Sequence, residues 1–271
     1  MPYLSIFSDR VFYSLFRQDS SRQTRTLVLV HGAGGNHTHW PAELHRLPGV
    51  NVCALDLPGH GRSGGKGRLS LEEYADSVYA FVQAVGRSHV CLVGHSMGGA
   101  IVQLLAVRQP AWLECLVVIG CGSQLPVDAG VLAGLRPDGP PTARAAALDR
   151  ICQLAYGPGA SPQLVRLGRR VLADTDRAVL HADYVACSAF DVSNRLDRLR
   201  VPTLIVVGSA DQLTPPQAGA RLRERVPAAR LVQIEGAGHM VVLEKPLETV
   251  QAILRFLDAP DVVQCRHADR D

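Results

Sequence analysis

The stretch Gly94-His95-Ser96-Met97-Gly98-Gly99 decides the fold, because it matches the pattern G-x-S-x-G. The apolar run at residues 90–93 precedes it, and a helical segment at 97–109 follows it and ends before Pro110. A sharp turn from a buried strand into a helix exposes the serine hydroxyl above the sheet, and the flanking glycines let neighbouring backbones approach closely. A chance match in a glycine-rich chain is the alternative, which this strand and helix context disfavours. The motif predicts that Ser96 is a nucleophile and that the Met97 backbone N–H binds a developing oxyanion.

Apolar runs on either side of this motif predict the remaining strands. An opening hairpin joins residues 3–7 to residues 11–16 across Ser8-Asp9. Continuous apolar runs, as expected of strands buried on both faces, occur at residues 26–30, 51–55, 116–119, 203–207 and 230–234. Strands that alternate with helices predict an α/β fold with a mostly parallel sheet covered on both faces.

The helices between these strands have recognisable ends. Ser70 and Glu73 form a capping box, and Gly86 ends the apolar stripe that follows. Residues 216–226 form a second-half helix, and Lys245-Pro246 opens the last one.

Residues 123–200 interrupt the alternation, since they contain no buried-strand run and many prolines. Three amphipathic segments near residues 142–155, 164–172 and 179–186 predict a helical cap inserted between two strands. Residues 1–122 and 201–258 then form the core domain, and the polar residues 259–271 are expected to be a flexible tail.

A serine needs a base, and the base needs an acid that orients it. Asp211 follows the apolar run at 203–207, and His239 follows the next run. Parallel strands present their carboxyl ends at one edge of the sheet, so both side chains are expected near Ser96. A turn aspartate and a solvated loop histidine are the alternatives. Asp128 and Asp191, which flank the cap, are the fallback acids.

The second oxyanion donor is expected from the glycine-rich loop His31-Gly32-Ala33-Gly34-Gly35, which follows the third strand. Small residues let a backbone N–H face the reacting carbonyl. Ala33 is the first choice and Gly34 the substitute, and the sequence leaves this choice open.

These features together resemble the α/β-hydrolase superfamily. The loop at 31–35, the segment Asp56-Leu57-Pro58-Gly59-His60-Gly61-Arg62-Ser63, the serine turn, Asp211 and His239 occur in its usual order. The chain is most similar to small carboxylesterases and monoacylglycerol-lipase-like members. The resemblance implies an eight-stranded sheet with a helical cap inserted after strand six.

The other histidines have simpler interpretations. His37 and His39 could bind zinc, but no third ligand lies at metal spacing, so we expect loop histidines at a pocket rim and no metal. His60 and Asp56 are expected to hold their turn, and His95 to pack. No nucleotide-binding motif and no cofactor site are predicted.

Composition limits the remaining classes of function. The net charge is +3, with 28 basic against 25 acidic residues, so a nucleic-acid surface is not expected. The seven cysteines are scattered without a CxxC pair. No secretory signal and no apolar stretch of about 18 residues is visible. We therefore expect a soluble, cytoplasmic protein without a membrane span.

The sequence thus predicts a serine hydrolase that cleaves small-molecule carboxylic esters of small to medium apolar acids through an acyl-enzyme on Ser96. Thioester, lactone or carbon–carbon bond hydrolysis on the same three residues is an alternative. A small-molecule receptor of the same fold that does not turn over its ligand is another.

Overall fold

The eight-stranded sheet that the resemblance implies is confirmed in the computed structural model, which describes residues 3–16, 24–227 and 229–265. Within these residues the strands are β1 (Tyr3–Ile6), β2 (Asp9–Phe16), β3 (Thr26–Val30), β4 (Asn51–Leu55), β5 (Val90–His95), β6 (Leu113–Ile119), β7 (Thr203–Gly208) and β8 (Ala229–Ile234). Their order is β1-β2-β4-β3-β5-β6-β7-β8. Strand β2 is antiparallel to both neighbours, whereas β3 to β8 are parallel to one another.

Two details of the strands differ from the sequence prediction. The hairpin turn lies at Phe7 and Ser8, one residue earlier than expected, and Phe7 adopts a φ of 52° there. Strand β8 was expected to be buried on both faces but is largely half-exposed. It is the last strand of the sheet, so fewer elements cover it than cover the central strands.

Helices cover both faces of the sheet. In chain order the described residues form α1 (Ala42–His45), α2 (Leu71–Val85), α3 (Met97–Ala106), α4 (Ala129–Gly134), α5 (Pro141–Ala155), α6 (Pro162–Asp174), α7 (Arg177–Ser188), α8 (Pro216–Arg225), α9 (Val241–Glu244), α10 (Pro246–Leu257) and α11 (Pro260–Cys265). Helices α2, α3 and α8 pack on one face, and α1, α9, α10 and α11 pack on the other. None of these helices is long and apolar enough to cross a membrane.

The capping box of α2 is present as predicted. The Ser70 hydroxyl accepts from the Glu73 backbone N–H, the Glu73 carboxylate accepts from the Ser70 backbone N–H, and Gly86 ends the helix in the left-handed conformation.

The segment between β6 and β7, which we call the cap, contains four helices, α4 to α7, in place of the three expected. The additional helix, α4, begins at Asp128, whose carboxylate accepts from the first backbone N–H groups. Residues of α4, α5 and α7 share a small apolar core of their own. Helix α6 has no fully buried residue, because one of its faces lies over a cavity and the other faces solvent.

Part of the expected tail, Pro260–Cys265, forms the helix α11. Val262 is fully buried against the α10 side of the sheet. The buried Arg25 guanidinium donates to Leu257 O at 3.0 Å and to Val262 O at 3.1 Å. These bonds satisfy carbonyls that helix ends leave unpaired. Residues 266–271 lie outside the described residues.

Candidate active site

Ser96 lies in the sharp turn that the glycine motif predicts, between β5 and α3. Its φ of 55° and ψ of −119° lie outside the regions that non-glycine residues normally occupy. The turn is held by a hydrogen bond from Ser96 N to Ile119 O of 2.8 Å. A Cβ on Gly94 would collide with Gly98 O, and a Cβ on Gly98 would collide with Val30 O. Only glycine fits at these two positions.

The Asp211 carboxylate orients the His239 ring. Asp211 follows β7 and His239 follows β8, and their Oδ2 and Nδ1 atoms lie 2.8 Å apart. Asp211 Oδ1 accepts from Leu213 N at 2.9 Å and from Thr214 N at 2.7 Å, which fixes the carboxylate. Both residues are almost fully buried. A carboxylate beside Nδ1 keeps the proton there and leaves Nε2 as the basic nitrogen.

Ser96 and His239 line one cavity of about 500 Å³ beneath the cap. His239 Nε2 is buried there and has no hydrogen-bond partner among the described residues. The structure therefore brings Ser96, Asp211 and His239 together at the carboxyl edge of the sheet. The cavity wall is largely apolar, and its apolar side chains include Ile151, Leu164, Leu167, Val171, Leu172 and Leu243.

The glycine-rich loop forms a tight turn at the floor of this cavity. Gly35 N donates to Gly32 O at 3.0 Å, and Gly34 has a φ of 64°. His31 Nδ1 also bonds Gly32 O, at 2.8 Å, while its Nε2 accepts from Leu57 N. Burial, aided by repulsion from neighbouring imidazoles, holds the pKa of His31 well below its ordinary value, so this ring is neutral.

The hydrogen bonds of this turn distinguish the two candidate oxyanion donors. Gly34 N donates to Asp183 Oδ2 at 2.9 Å, so this N–H is already engaged, which favours Ala33 over the substitute choice, Gly34. Ala33 N has no acceptor among the described residues. Met97 N belongs to the first turn of α3, where backbone N–H groups lack intrahelical partners.

The fallback acids, Asp128 and Asp191, are engaged elsewhere. Asp128 caps α4, and Asp191 accepts from Ser193 N at 2.8 Å and from Gln124 Nε2 at 2.7 Å. His37 and His39 lie in different environments. His37 Nδ1 lies 2.9 Å from Asp56 Oδ1, whereas His39 lines the cavity. Within the described ranges, no group of three or more His, Cys, Asp or Glu side chains could hold a metal ion.

The model of a known protein family matches most of the chain. Residues 27–252 match the model of the alpha/beta hydrolase family. The chain belongs to the alpha/beta hydrolase family.

Several individual alpha/beta hydrolases are similar to this chain over nearly their full length. The chain is 32% identical over 256 residues to a pimeloyl-(acyl-carrier protein) methyl ester esterase of Sodalis glossinidius, a match covering 90% of this chain and 97% of that protein. A solved structure of a thermophilic esterase is 31% identical with a TM-score of 0.79, over 94% of this chain and 96% of the other. An esterase from Exiguobacterium antarcticum, 17% identical over 95% and 99% of the two chains, has a TM-score of 0.84 and shares the fold.

Sequence reasoning missed two supports of His239 in this hydrolase. His95, expected only to pack, donates from Nε2 to His239 O at 2.8 Å. Gly120 follows β6 with a φ of 57°, and a Cβ there would lie 3.2 Å from the His239 ring. The glycines at 120 and 122 directly after a buried strand were a visible signal of close approach.

His39, His95 and His239 also form a row of neighbouring rings that are tilted against one another. The ring centroids of His39 and His95 lie 4.6 Å apart, and those of His95 and His239 lie 4.8 Å apart. Burial, with repulsion from His239, lowers the pKa of His39 to about 4. Burial, with repulsion from both neighbours, also holds the pKa of His95 well below its ordinary value.

We expect these imidazoles, whose pKa values are lowered, to destabilise the hydrolase in acid. Unfolded imidazoles bind protons below about pH 6.5, whereas His39 stays neutral in the folded state down to about pH 4. Between about pH 6.5 and pH 4 the unfolded state therefore binds more protons than the folded state. As the pH decreases through this range, His39 lowers the free energy of unfolding by up to about 1.4 kcal/mol per pH unit. Urea unfolding between pH 7 and 4 should give a shallower pH slope for His39→Phe than for the wild type. Equal pH slopes of the free energy of unfolding for His39→Phe and the wild type would contradict this expectation.

Proposed function

We propose that this alpha/beta hydrolase is a serine esterase that cleaves carboxylic esters of small to medium apolar acids. The observation that carries the proposal is the shared cavity, which is lined by Ser96 in its strained turn and by His239, whose Nδ1 bonds Asp211. Its similarity to a methyl ester esterase and to a thermophilic esterase supports it.

The proposed mechanism follows from the positions of these groups. His239 Nε2 takes the proton of the Ser96 hydroxyl as Ser96 Oγ attacks the ester carbonyl. The Ala33 and Met97 backbone N–H groups bind the oxyanion that forms, and the α3 dipole adds to this stabilisation. The C–O bond to the alcohol breaks, and His239 returns its proton to the departing alcohol. Water, deprotonated by His239, then attacks the acyl carbon, the bond from this carbon to Ser96 Oγ breaks, and His239 returns the proton to Ser96 Oγ as the acid leaves.

Turnover of simple esters tests this function directly. The wild-type protein is expected to hydrolyse 4-nitrophenyl esters steadily and to react once with a fluorophosphonate at Ser96, as mass spectrometry of the labelled peptide would show. Steady hydrolysis separates an esterase from a receptor, which would take the label without turning over an ester. A panel that includes thioesters and lactones of equal acyl length ranks the alternative substrates.

The cavity predicts a limited range of acyl lengths. Each buried methylene contributes about 0.8 kcal/mol, or roughly a fourfold rise in kcat/KM. We expect kcat/KM to rise over the first few acyl carbons and then to fall when the cavity is full. Val171 on α6 lines the cavity, so Val171→Trp should shift the maximum to shorter acyl chains.

Val185 offers a matched control for this experiment. It lies on α7 with 38% exposure, close to the 36% of Val171, and it does not line the cavity. Val185→Trp should therefore leave the acyl profile unchanged. Identical profiles for Val171→Trp and the wild type would show that this cavity does not hold the acyl chain.

A further inference from the structure

The cap carries a buried carboxylate that contacts the core. Asp183 of α7 is fully buried, although it lies on the inserted cap. Its Oδ2 accepts from Gly34 N at 2.9 Å and lies 2.8 Å from His60 Nε2. Its Oδ1 accepts from Tyr74 OH at 2.7 Å. One cap side chain therefore bonds three separate parts of the core domain.

We propose that Asp183 is a positioning residue that aligns the oxyanion turn, so that the protein reaches full activity only when the cap is docked. This inference rests on the proposed function, in which Ala33 N–H binds the oxyanion. Asp183 acts through Gly34 and does not itself touch the ester.

Several side chains of the cap contact Gly34. Thr175 Oγ1 lies 2.9 Å from Gly34 O and 2.9 Å from Val171 O, and its single proton is shared between these two carbonyls, so both backbone polar groups of Gly34 face cap side chains. A Cβ on Gly34 would lie 2.7 Å from Leu180 Cδ1 and 2.9 Å from Leu172 Cδ2. The turn therefore fits against the cap without room for a side chain.

These contacts fix the consecutive peptide groups of the turn. The Gly32 carbonyl, whose peptide group carries Ala33 N–H, accepts from His31 and from Gly35 N. The next two peptide groups are held by Asp183 through Gly34 N and by Thr175 through Gly34 O. The core fixes the first group, the cap fixes the second through Gly34 N, and both hold the third. Loss of the cap bond would free the second peptide group, which adjoins the first at Ala33, so the turn would shift and the Ala33 N–H would lose its alignment with the oxyanion.

His60 is the side chain whose protonation the buried Asp183 favours. Its Nδ1 lies 3.1 Å from Pro58 O, and its Nε2 lies 2.8 Å from Asp183, so both ring nitrogens face acceptors. Burial opposes the charge, but the Asp183 carboxylate dominates together with these hydrogen bonds and raises the pKa of His60. A charged pair gives stronger and shorter hydrogen bonds than a neutral one, which suits a rigid support.

Substitutions at Asp183 test the inference through kcat. Asp183→Ala is expected to lower kcat for a 4-nitrophenyl ester about tenfold to a hundredfold, because small misplacements of a catalytic group have effects of this size. KM should change far less, since the cavity wall is untouched. Asp183→Asn keeps an acceptor for Gly34 N–H and should recover part of the loss. The rate of labelling by a fluorophosphonate should fall in parallel with kcat.

Tyr74→Phe is the matched control. It removes a hydrogen bond to the same carboxylate but leaves the bond to Gly34 intact. We expect a lower Tm and an unchanged kcat. Thr175→Val removes the other cap bond without touching the buried cluster, so it decides the question if Asp183→Ala does not fold; its kcat should also fall.

The outcomes separate this inference from the proposed function. An active wild type whose Asp183 and Thr175 variants keep full kcat would overturn the inference alone. The same conclusion would follow if Tyr74→Phe lost as much kcat as Asp183→Ala, because the cluster would then act only through stability. A wild type that neither turns over esters nor takes the label at Ser96 would overturn the proposed function, and the inference with it.

Discussion

Replacement of Ser96 by alanine is expected to lower kcat for a 4-nitrophenyl ester by about 10⁴- to 10⁶-fold, the usual cost of removing an activated nucleophile. The variant has no oxygen to form an acyl-enzyme. The oxyanion N–H groups remain in place and should leave only a small residual rate above that in water.

The fold should survive this change. Alanine removes a single oxygen at a half-exposed position, and the turn is held by the flanking glycines and by Ser96 N, which alanine retains. The Tm should therefore stay near that of the wild type or rise, because strained active sites cost stability. Wild-type turnover in a folded Ser96→Ala protein would show that the nucleophile is another residue.

Asp211→Asn is expected to lower kcat by about 10⁴-fold while the geometry stays intact. The reason lies in the two backbone N–H groups of Leu213 and Thr214, which bind Asp211 Oδ1. They require the asparagine oxygen on their side, so the amide NH2 faces His239 Nδ1. The histidine must then carry its proton on Nε2 and can no longer accept the proton of Ser96.

Asp191→Asn is the control for this substitution. Asp191 was a candidate acid from the sequence, and its carboxylate bonds Ser193 and Gln124 instead. We expect its kcat to equal that of the wild type. A large loss at Asp191 with full activity at Asp211 would reverse the assignment of the acid.

The fold could be predicted because its decisive features are local. Continuous apolar runs marked the central strands, the capping box marked the start of α2, and the glycine pattern marked the turn at Ser96. Errors occurred where the outcome depends on distant parts of the chain. The exposure of β8 depends on its place at the sheet edge, and the order of α11 depends on Arg25.

The candidate site could likewise be predicted from local features, but not where it depends on contacts between distant parts of the chain. The order of Ser96, Asp211 and His239 along the chain, each directly after an apolar run, indicated that they would meet. The choice between Ala33 and Gly34 as the second oxyanion donor could not be made from the sequence. It depends on a contact to Asp183, 149 residues away along the chain, on a helix whose packing no local pattern specifies.

The Arg25 guanidinium joins the start of a central strand to both helices at the carboxyl end of the chain, α10 and α11. It is also held by Glu114 at 2.7 Å, at the start of β6. Detachment of α11 would leave part of this buried charge without a partner, which is costly. Amide hydrogens of α11 should therefore exchange with solvent more slowly than those of a fraying terminus. A chain truncated after Leu257 should expose the edge of the apolar layer and aggregate on heating.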